Sequence, residues 1–256
     1  MIKNYIFDFY GTLVDVHTEE SKQEVWNKLI DIYQSFGISY SLQEIKDAYS
    51  LLCQKEIKRL ESKTGYEYPE IDLLNVFGDL FLKNLDNTFF QKNKFERKDI
   101  LYDIAKQFRE TSRDYCKLYP NTLEVLKILK QRHKKIYLLS NAQRCFTLEE
   151  IEMVGIKDYF DEIYISSDYS MKKPQKEFLS LCLRQNNLNK EETIMIGNEV
   201  DSDIQVAYLN DVKSILLNTD HKTKDEIQKD LEIYHDKNYD PTVIYSGNMK
   251  EILEVQ

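Results

Sequence analysis

Residues 4–12 read Asn4-Tyr5-Ile6-Phe7-Asp8-Phe9-Tyr10-Gly11-Thr12. A short aromatic and β-branched run without polar alternation, closed by a glycine, is the pattern of a buried strand ending in a turn. The strand is expected over Asn4–Phe9, with Asp8 at its tip and Tyr10-Gly11-Thr12 as the turn. The long stretch after the turn decides the architecture. From about Glu19 to Tyr115 the pattern is helical almost throughout. Val25, Leu29, Ile32 and Phe36 share one face of a first helix, and Gly37 sits where a helix C-terminus wants it. Ser41 and Glu44 form a capping box that opens a second helix, with Ile45, Ala48, Tyr49 and Leu52 inward. Leu73, Leu74, Phe77, Leu80 and Phe81 predict a third, and Ile100, Leu101, Ile104, Ala105 and Phe108 a fourth.

Beyond Tyr119-Pro120 strands and helices alternate. Helices are expected near Thr122–Lys130, Leu148–Val154 and Gln175–Gln185. The runs Lys135–Leu139, Glu162–Ile165, Thr193–Ile196, Ser214–Leu217 and Thr242–Tyr245 bring the total to about six strands. Such alternation implies an α/β fold with a mostly parallel sheet covered on both faces. Because the first strand is cut off from the others by the helical stretch, the simplest organisation is one core, residues 1–15 and 116–256. Its first βα connection then carries a helical insertion, residues 16–115.

Composition removes several function classes. The 256 residues are 42 % hydrophobic and 31 % charged, the balance of an ordinary globular chain. With 35 Lys and Arg against 44 Asp and Glu the net charge is −9, and no basic block exists to neutralise nucleic-acid phosphates or anionic lipid. No run reaches the ~20 apolar residues of a membrane span, and the N-terminus lacks the pattern of a signal peptide. The four cysteines, Cys53, Cys116, Cys145 and Cys182, form no CxxC pair, which fits a reducing cytoplasm better than a zinc site or a disulfide framework.

In an open parallel sheet, sites lie beyond the carboxyl ends of the strands, near the point where strand order reverses. The first strand offers Asp8, Tyr10, Gly11 and Thr12 at that edge; the second, Ser140 and Asn141; the loop after the third, Lys172 and Lys173 ahead of Pro174. The fourth offers Gly197, Asn198, Glu199, Asp201 and Asp203. A carboxylate, a hydroxyl, a lysine and an acidic cluster on one edge suit phosphoryl chemistry. Asp8 can attack as a nucleophile. Gly11 tightens the turn so that backbone N–H groups face an anion. Ser140 can bond a phosphate oxygen, and Lys173 supplies a point charge for it and for Asp8. Attack of one anion on another calls for a divalent cation, and Asp8 with Asp203, Asn198 or Glu199 offers the oxygen ligands that Mg²⁺ prefers.

At these residues the sequence resembles the haloacid dehalogenase-like (HAD) hydrolase superfamily. Its four motifs occur in order: Asp8-Phe-Tyr-Gly-Thr12, Leu139-Ser140-Asn141, Lys173-Pro174, and Gly197 through Asp203-Ile204. The resemblance implies a Rossmann-like core with residues 16–115 as a helical C1-type cap. It implies Asp8, Tyr10 and Lys173 as the catalytic set, and Gly11, Thr12, Ser140 and Asn141 as substrate-binding. It assigns Asp8, Tyr10, Asn198 and Asp203 to Mg²⁺. Two positions depart from the phosphatase pattern. Phosphatases carry a second Asp two residues after the nucleophile, which protonates the leaving group; here Tyr10 stands, as in the 2-haloacid dehalogenases. Asn198 and Asp201 match the Asn-x-x-Asp spacing of that branch, whereas Gly197 and Ser202-Asp203-Ile204 match the phosphatase form. The expected function is a Mg²⁺-dependent phosphatase acting on a small phosphorylated metabolite. A 2-haloacid dehalogenase and a non-turnover binding protein are the alternatives.

Overall fold

The computed structural model describes residues 1–83 and 94–255. Strand β1 (Asn4–Phe7) leads through a tight turn into β2 (Val14–Thr18), succeeded by α1 (Gln23–Ser35), α2 (Leu42–Thr64), α3 (Leu73–Leu80) and α4 (Lys94–Ser112). The chain returns in β3 (Arg113–Leu118) and then alternates: α5 (Thr122–Gln131), β4 (Lys135–Ser140), α6 (Arg144–Met153), β5 (Glu162–Ile165), α7 (Lys176–Gln185) and β6 (Thr193–Gly197). It ends with α8 (Gln205–Leu209), β7 (Lys213–Leu217), α9 (Lys224–Leu231) and β8 (Thr242–Ile244).

Six strands form one sheet in the order β5-β4-β1-β6-β7-β8, every neighbouring pair parallel. The period of two assigns each strand's residues to opposite faces. Phe7, Ile136, Leu138, Ile194 and Ile196 pack against Val125, Leu126 and Leu129 of α5. Ile6, Tyr137, Leu139 and Met195 pack against Phe178, Leu179 and Cys182 of α7. Both faces being dry, the strands read as unbroken apolar runs. The sheet matches the expected α/β class. Because β1 lies between β4 and β6, the chain fills one side of β1 and then the other. The reversal opens a crevice at the carboxyl ends of the three central strands.

The helical segment has a separate core. Val25, Leu29 and Tyr33 of α1, Ile45 of α2, Phe77 of α3, and Ile104 and Phe108 of α4 cluster there. Trp26 meets the Tyr49 and Phe108 rings edge-on at 5.4 and 6.0 Å. Phe146 of α6 joins the same cluster, stacking on Phe108 at 6.3 Å, so this core runs into the sheet's own helical layer. Phe108 is fully buried, and its truncation to Ala costs about 3–5 kcal/mol. Part of the expected helical region, residues 84–93, lies outside the described residues. No described helix is long and apolar enough to cross a membrane.

The structure departs from the sequence reading at the junctions. The opening strand stops at Phe7, leaving Asp8 and Phe9 beyond its end. Residues 113–118, expected to be helical as far as Tyr115, form β3 antiparallel to β2, with Asp15 opposite Lys117 and Val16 opposite Cys116. The expected boundaries at 15/16 and 115/116 fall inside this ribbon. Its strands carry weak local signals, and each finds its partner about a hundred residues away in sequence. Helix α9, opened by a Thr223–Glu226 capping box, is an addition to the expected elements.

Candidate active site

Asp8, Ser140 and Gly197 meet because β4, β1 and β6 are neighbours in register: Phe7 lies opposite both Leu138 and Ile196. Asp8 is 7 % exposed and Lys173 only 2 %. Lys173 Nζ donates to Asp8 Oδ1 at 2.7 Å and to Asp203 Oδ1 at 2.6 Å. Two carboxylates and one ammonium therefore share a site screened from water. Burial works to lower the Lys173 pKa, yet the facing Asp203 and Asp8 charges hold it above its ordinary value. Burial raises the Asp203 carboxyl, and Asp8 adds to the rise against the pull of Lys173. Glu199 is likewise raised, by desolvation and then by Asp8, Asp220 and Asp201.

Local backbone geometry explains how Asp203 reaches the site. Val200–Ile204 forms one wide turn of π-helix, which brings Asp203 back so that Glu199 N–H donates to its Oδ2 at 3.1 Å. Gly197 makes room for this, since a Cβ there would fall on the Asp203 carboxylate. Gly11 has φ +75°, and a Cβ on it would lie 2.6 Å from Asn198 Nδ2. At Gly11 the β1 turn approaches the acidic loop too closely for a side chain, whereas at Gly197 the obstruction is the loop's own folding back of Asp203.

The expected substrate-binding residues divide. Ser140 is fully buried and its Oγ has no hydrogen-bond partner among the described residues, a costly state unless a ligand supplies one. Thr12 is also fully buried, donating to Asn198 Oδ1 at 3.2 Å, with Asp8 Oδ2 at 3.5 Å. Asn141 serves Lys173: its Oδ1 accepts from Lys173 N–H at 2.7 Å, and its Nδ2 donates to Lys173 O at 3.0 Å and to Ser202 Oγ at 3.3 Å. Its side chain holds the lysine loop, so the substrate-binding expectation gives way to a positioning one. Gly11 does not turn its N–H outward either, because it donates to Val14 O at 2.9 Å. The free donors are one and two residues earlier: among the described residues the N–H groups of Phe9 and Tyr10 have no acceptor.

Tyr10 requires the largest correction. Its hydroxyl donates to Glu150 Oε2 at 2.6 Å and contacts Thr147 Oγ1 at 3.0 Å. Burial, and then the Glu150 charge, push its pKa far above the ordinary phenol value. A proton held this way is withdrawn from the leaving group, and the phenol oxygen is committed away from any cation. Tyr10 has only its main-chain oxygen left to offer a metal.

The oxygen donors fit Mg²⁺ in chemistry and in charge. Asp8, Asp203 and Asn198 supply hard oxygens, and Lys173 alone does not balance Asp8, Asp203 and the carboxylates that raise Glu199. No three Asp, Glu, His or Cys side chains converge as a ready cage among the described residues. Mg²⁺ commonly takes one or two carboxylates and completes its shell with water and phosphate oxygens. Asn198 Nδ2 donates to Asp220 Oδ2 at 3.1 Å, leaving one lone pair of Oδ1 beyond its bond from Thr12. Asp201, the partner expected in dehalogenase spacing, is exposed, whereas Asp203 reaches Lys173. Sequence reasoning expected anion-facing N–H groups at the Gly11 turn without naming Phe9 and Tyr10, and it missed Asp220 and Glu150. No local pattern marks them; Glu150 sits in a charged helical stretch that reads as solvent-facing.

The model for haloacid dehalogenase-like hydrolases matches residues 2–208. A glyceraldehyde 3-phosphate phosphatase of Methanothermobacter thermautotrophicus is 25 % identical over a 259-residue alignment, spanning 99 % of this chain and 100 % of the relative. One of Methanocaldococcus jannaschii is 25 % identical over 209 residues, 81 % of each chain. A 2-haloacid dehalogenase from Pseudomonas syringae pv. Tomato DC3000 shares the fold, with a TM-score of 0.62 at 18 % identity over 99 % of this chain and 97 % of that one. The ordered motifs, the parallel sheet and the match over most of its length agree: the chain belongs to the haloacid dehalogenase-like hydrolases.

Proposed function

We propose that this hydrolase is a phosphomonoesterase acting on small phosphorylated metabolites, with Asp8 as nucleophile and residues 16–115 as a cap over the substrate. One observation carries the reading: beside a carboxylate held by Lys173 lie unsatisfied donors, Ser140 Oγ and the Phe9 and Tyr10 N–H groups. Donors left open around a nucleophile suit phosphoryl oxygens. The two relatives named as glyceraldehyde 3-phosphate phosphatases support this class of substrate. The four cysteines are unpaired, in keeping with the expected cytoplasmic setting.

Asp8 Oδ2, the oxygen not held by Lys173, attacks phosphorus, and the bond to the ester oxygen breaks with its electron pair leaving on that oxygen. Water then attacks phosphorus in the aspartyl phosphate, releasing inorganic phosphate and restoring Asp8. Lys173 orients Asp8 and balances charge on the transferring group. Asp8, Asp203, Asn198 and the Tyr10 main-chain oxygen would hold Mg²⁺, which when bound offsets the repulsion between the two anions. With the Tyr10 phenol committed to Glu150, the leaving oxygen takes its proton from solvent. Substrates whose leaving group is stable as an anion therefore turn over fastest.

The test sets hydrolysis of p-nitrophenyl phosphate, with Mg²⁺ and with EDTA, beside halide release from 2-chloropropionate. Phosphate release that requires Mg²⁺ and is lost in Asp8→Ala supports the proposal. EDTA-insensitive halide release overturns it for a dehalogenase, and silence in both assays overturns it for a binding protein.

A further inference from the structure

Glu150 projects from α6 with its side chain fully buried, 0 % exposed. A charge in such a place needs partners, and Glu150 has three. Arg109 donates through Nε to Oε1 at 2.7 Å and through Nη2 to Oε2 at 3.2 Å. Arg113 Nη1 donates to Oε1 at 2.8 Å, and the Tyr10 hydroxyl to Oε2 at 2.6 Å, the short separation of a charge-assisted O–H···O⁻ bond. The Arg109 guanidinium also covers the rings of Tyr10 and Phe146, at 5.6 and 5.4 Å.

The origin of these donors gives the cluster its meaning. Arg109 is in the last turn of α4, Arg113 is the first residue of β3, and Tyr10 lies two residues past Asp8. One carboxylate of the sheet's helical layer therefore binds the returning end of the helical segment and the nucleophile's turn together. We propose that Glu150 is a positioning residue that makes docking of the helical segment and placement of the Asp8 turn one cooperative event. If the segment moves off with its arginines, a buried carboxylate loses its counter-charges, and the partner that aims Tyr10 is no longer held. If the Tyr10 turn lets go, the grip on Arg109 and Arg113 weakens in the same way. The coupling is reciprocal because both sides share one acceptor. Its catalytic half rests on Asp8 being the nucleophile; its structural half does not.

Two mild variants test it from opposite sides. Tyr10→Phe removes the phenol's bond and keeps the ring under Arg109. Arg113→Met keeps the aliphatic stem and leaves Glu150 paired with Arg109. Amide hydrogen exchange is followed on the full chain in peptides covering residues 8–14 and 113–118, alongside kcat and KM for p-nitrophenyl phosphate. Each variant is expected to speed exchange in both segments and to lower kcat about tenfold with KM little changed. The double variant should fall no further than the weaker single one, and Arg113→Lys should recover most of the loss. Exchange that rises only in each variant's own segment, or kcat losses that multiply, overturns the proposal. If the parent hydrolyses no phosphate ester, the functional reading fails alone, and the exchange measurements still decide this one.

Discussion

Replacing Gly11 by alanine isolates what the close approach of two loops is worth. The geometry imposes two separate costs. With φ at +75° an L-residue is held in the left-handed region, about 1–2 kcal/mol. The added Cβ would also stand 2.6 Å from Asn198 Nδ2 and 2.9 Å from its Cγ and Oδ1, so that side chain must move. Forcing an atom into filled space adds about 1–3 kcal/mol. Gly11→Ala should therefore lose about 2–5 kcal/mol in urea titration. Gly37 is the control: its φ is +80° and nothing lies within 4 Å of its Cβ position. Gly37→Ala should lose only the conformational part, about 1–2 kcal/mol, and leave turnover unchanged. In an Asn198→Ala background the obstruction is gone, so adding Gly11→Ala should then cost no more than the control. Displaced Asn198 also gives up its bond from Thr12, beside Asp8, so kcat should fall in Gly11→Ala. Equal losses at residues 11 and 37, or no relief in the Asn198→Ala background, would refute the argument.

Three further outcomes are expected. Ser140→Ala should leave urea stability unchanged or raise it, because it removes a buried hydroxyl that has no protein partner among the described residues, yet lower kcat/KM on an aryl phosphate at least about tenfold. Lys173→Met should abolish turnover and, near pH 7 in EDTA, cost about 3–5 kcal/mol by leaving two buried carboxylates without their cation. Glu150→Gln removes the carboxylate that both Arg109 and Arg113 bond and should cost about 3–5 kcal/mol near neutral pH. Burial works to raise the Glu150 pKa, but the Arg109 bond and charge prevail and hold it below its ordinary value of 4.5. The stability it contributes is present above that value and lost as pH falls through the folded one, so parent and variant should converge in acid. Parallel curves down to low pH would contradict the pairing.

Much of the site was legible because its residues announce themselves locally. Asp8 ends an apolar strand, Ser140 ends another, and Lys173 precedes a proline. Gly197 and Asp203 bracket a short acidic loop. Register between β4, β1 and β6 then brings them together without further instruction. Directions of side chains were not legible. The family resemblance implied Tyr10 in the catalytic set and Asn141 as a substrate ligand, and the glycine suited Gly11 to an anion-facing turn. In the structure they hold Glu150, the Lys173 loop and Val14 O. The β2–β3 ribbon escaped for a related reason, since neither strand is strongly patterned and pairing supplies what local propensity lacks.

By itself, then, the chain's order of apolar runs, turns and charged residues determined an α/β sheet, a helical insertion and the set of groups at the sheet's carboxyl edge. These come from periodicity and from short spacings, which act within a few residues. Only the tertiary structure decided that Asp203 rather than Asp201 meets Lys173, that Tyr10 turns away from Asp8, and that Glu150 joins two arginines to the nucleophile's turn. Those choices depend on which buried charge finds a partner across 30 to 165 residues of sequence. Electrostatic pairing in a dry interior is settled by three-dimensional proximity, and no local pattern encodes it.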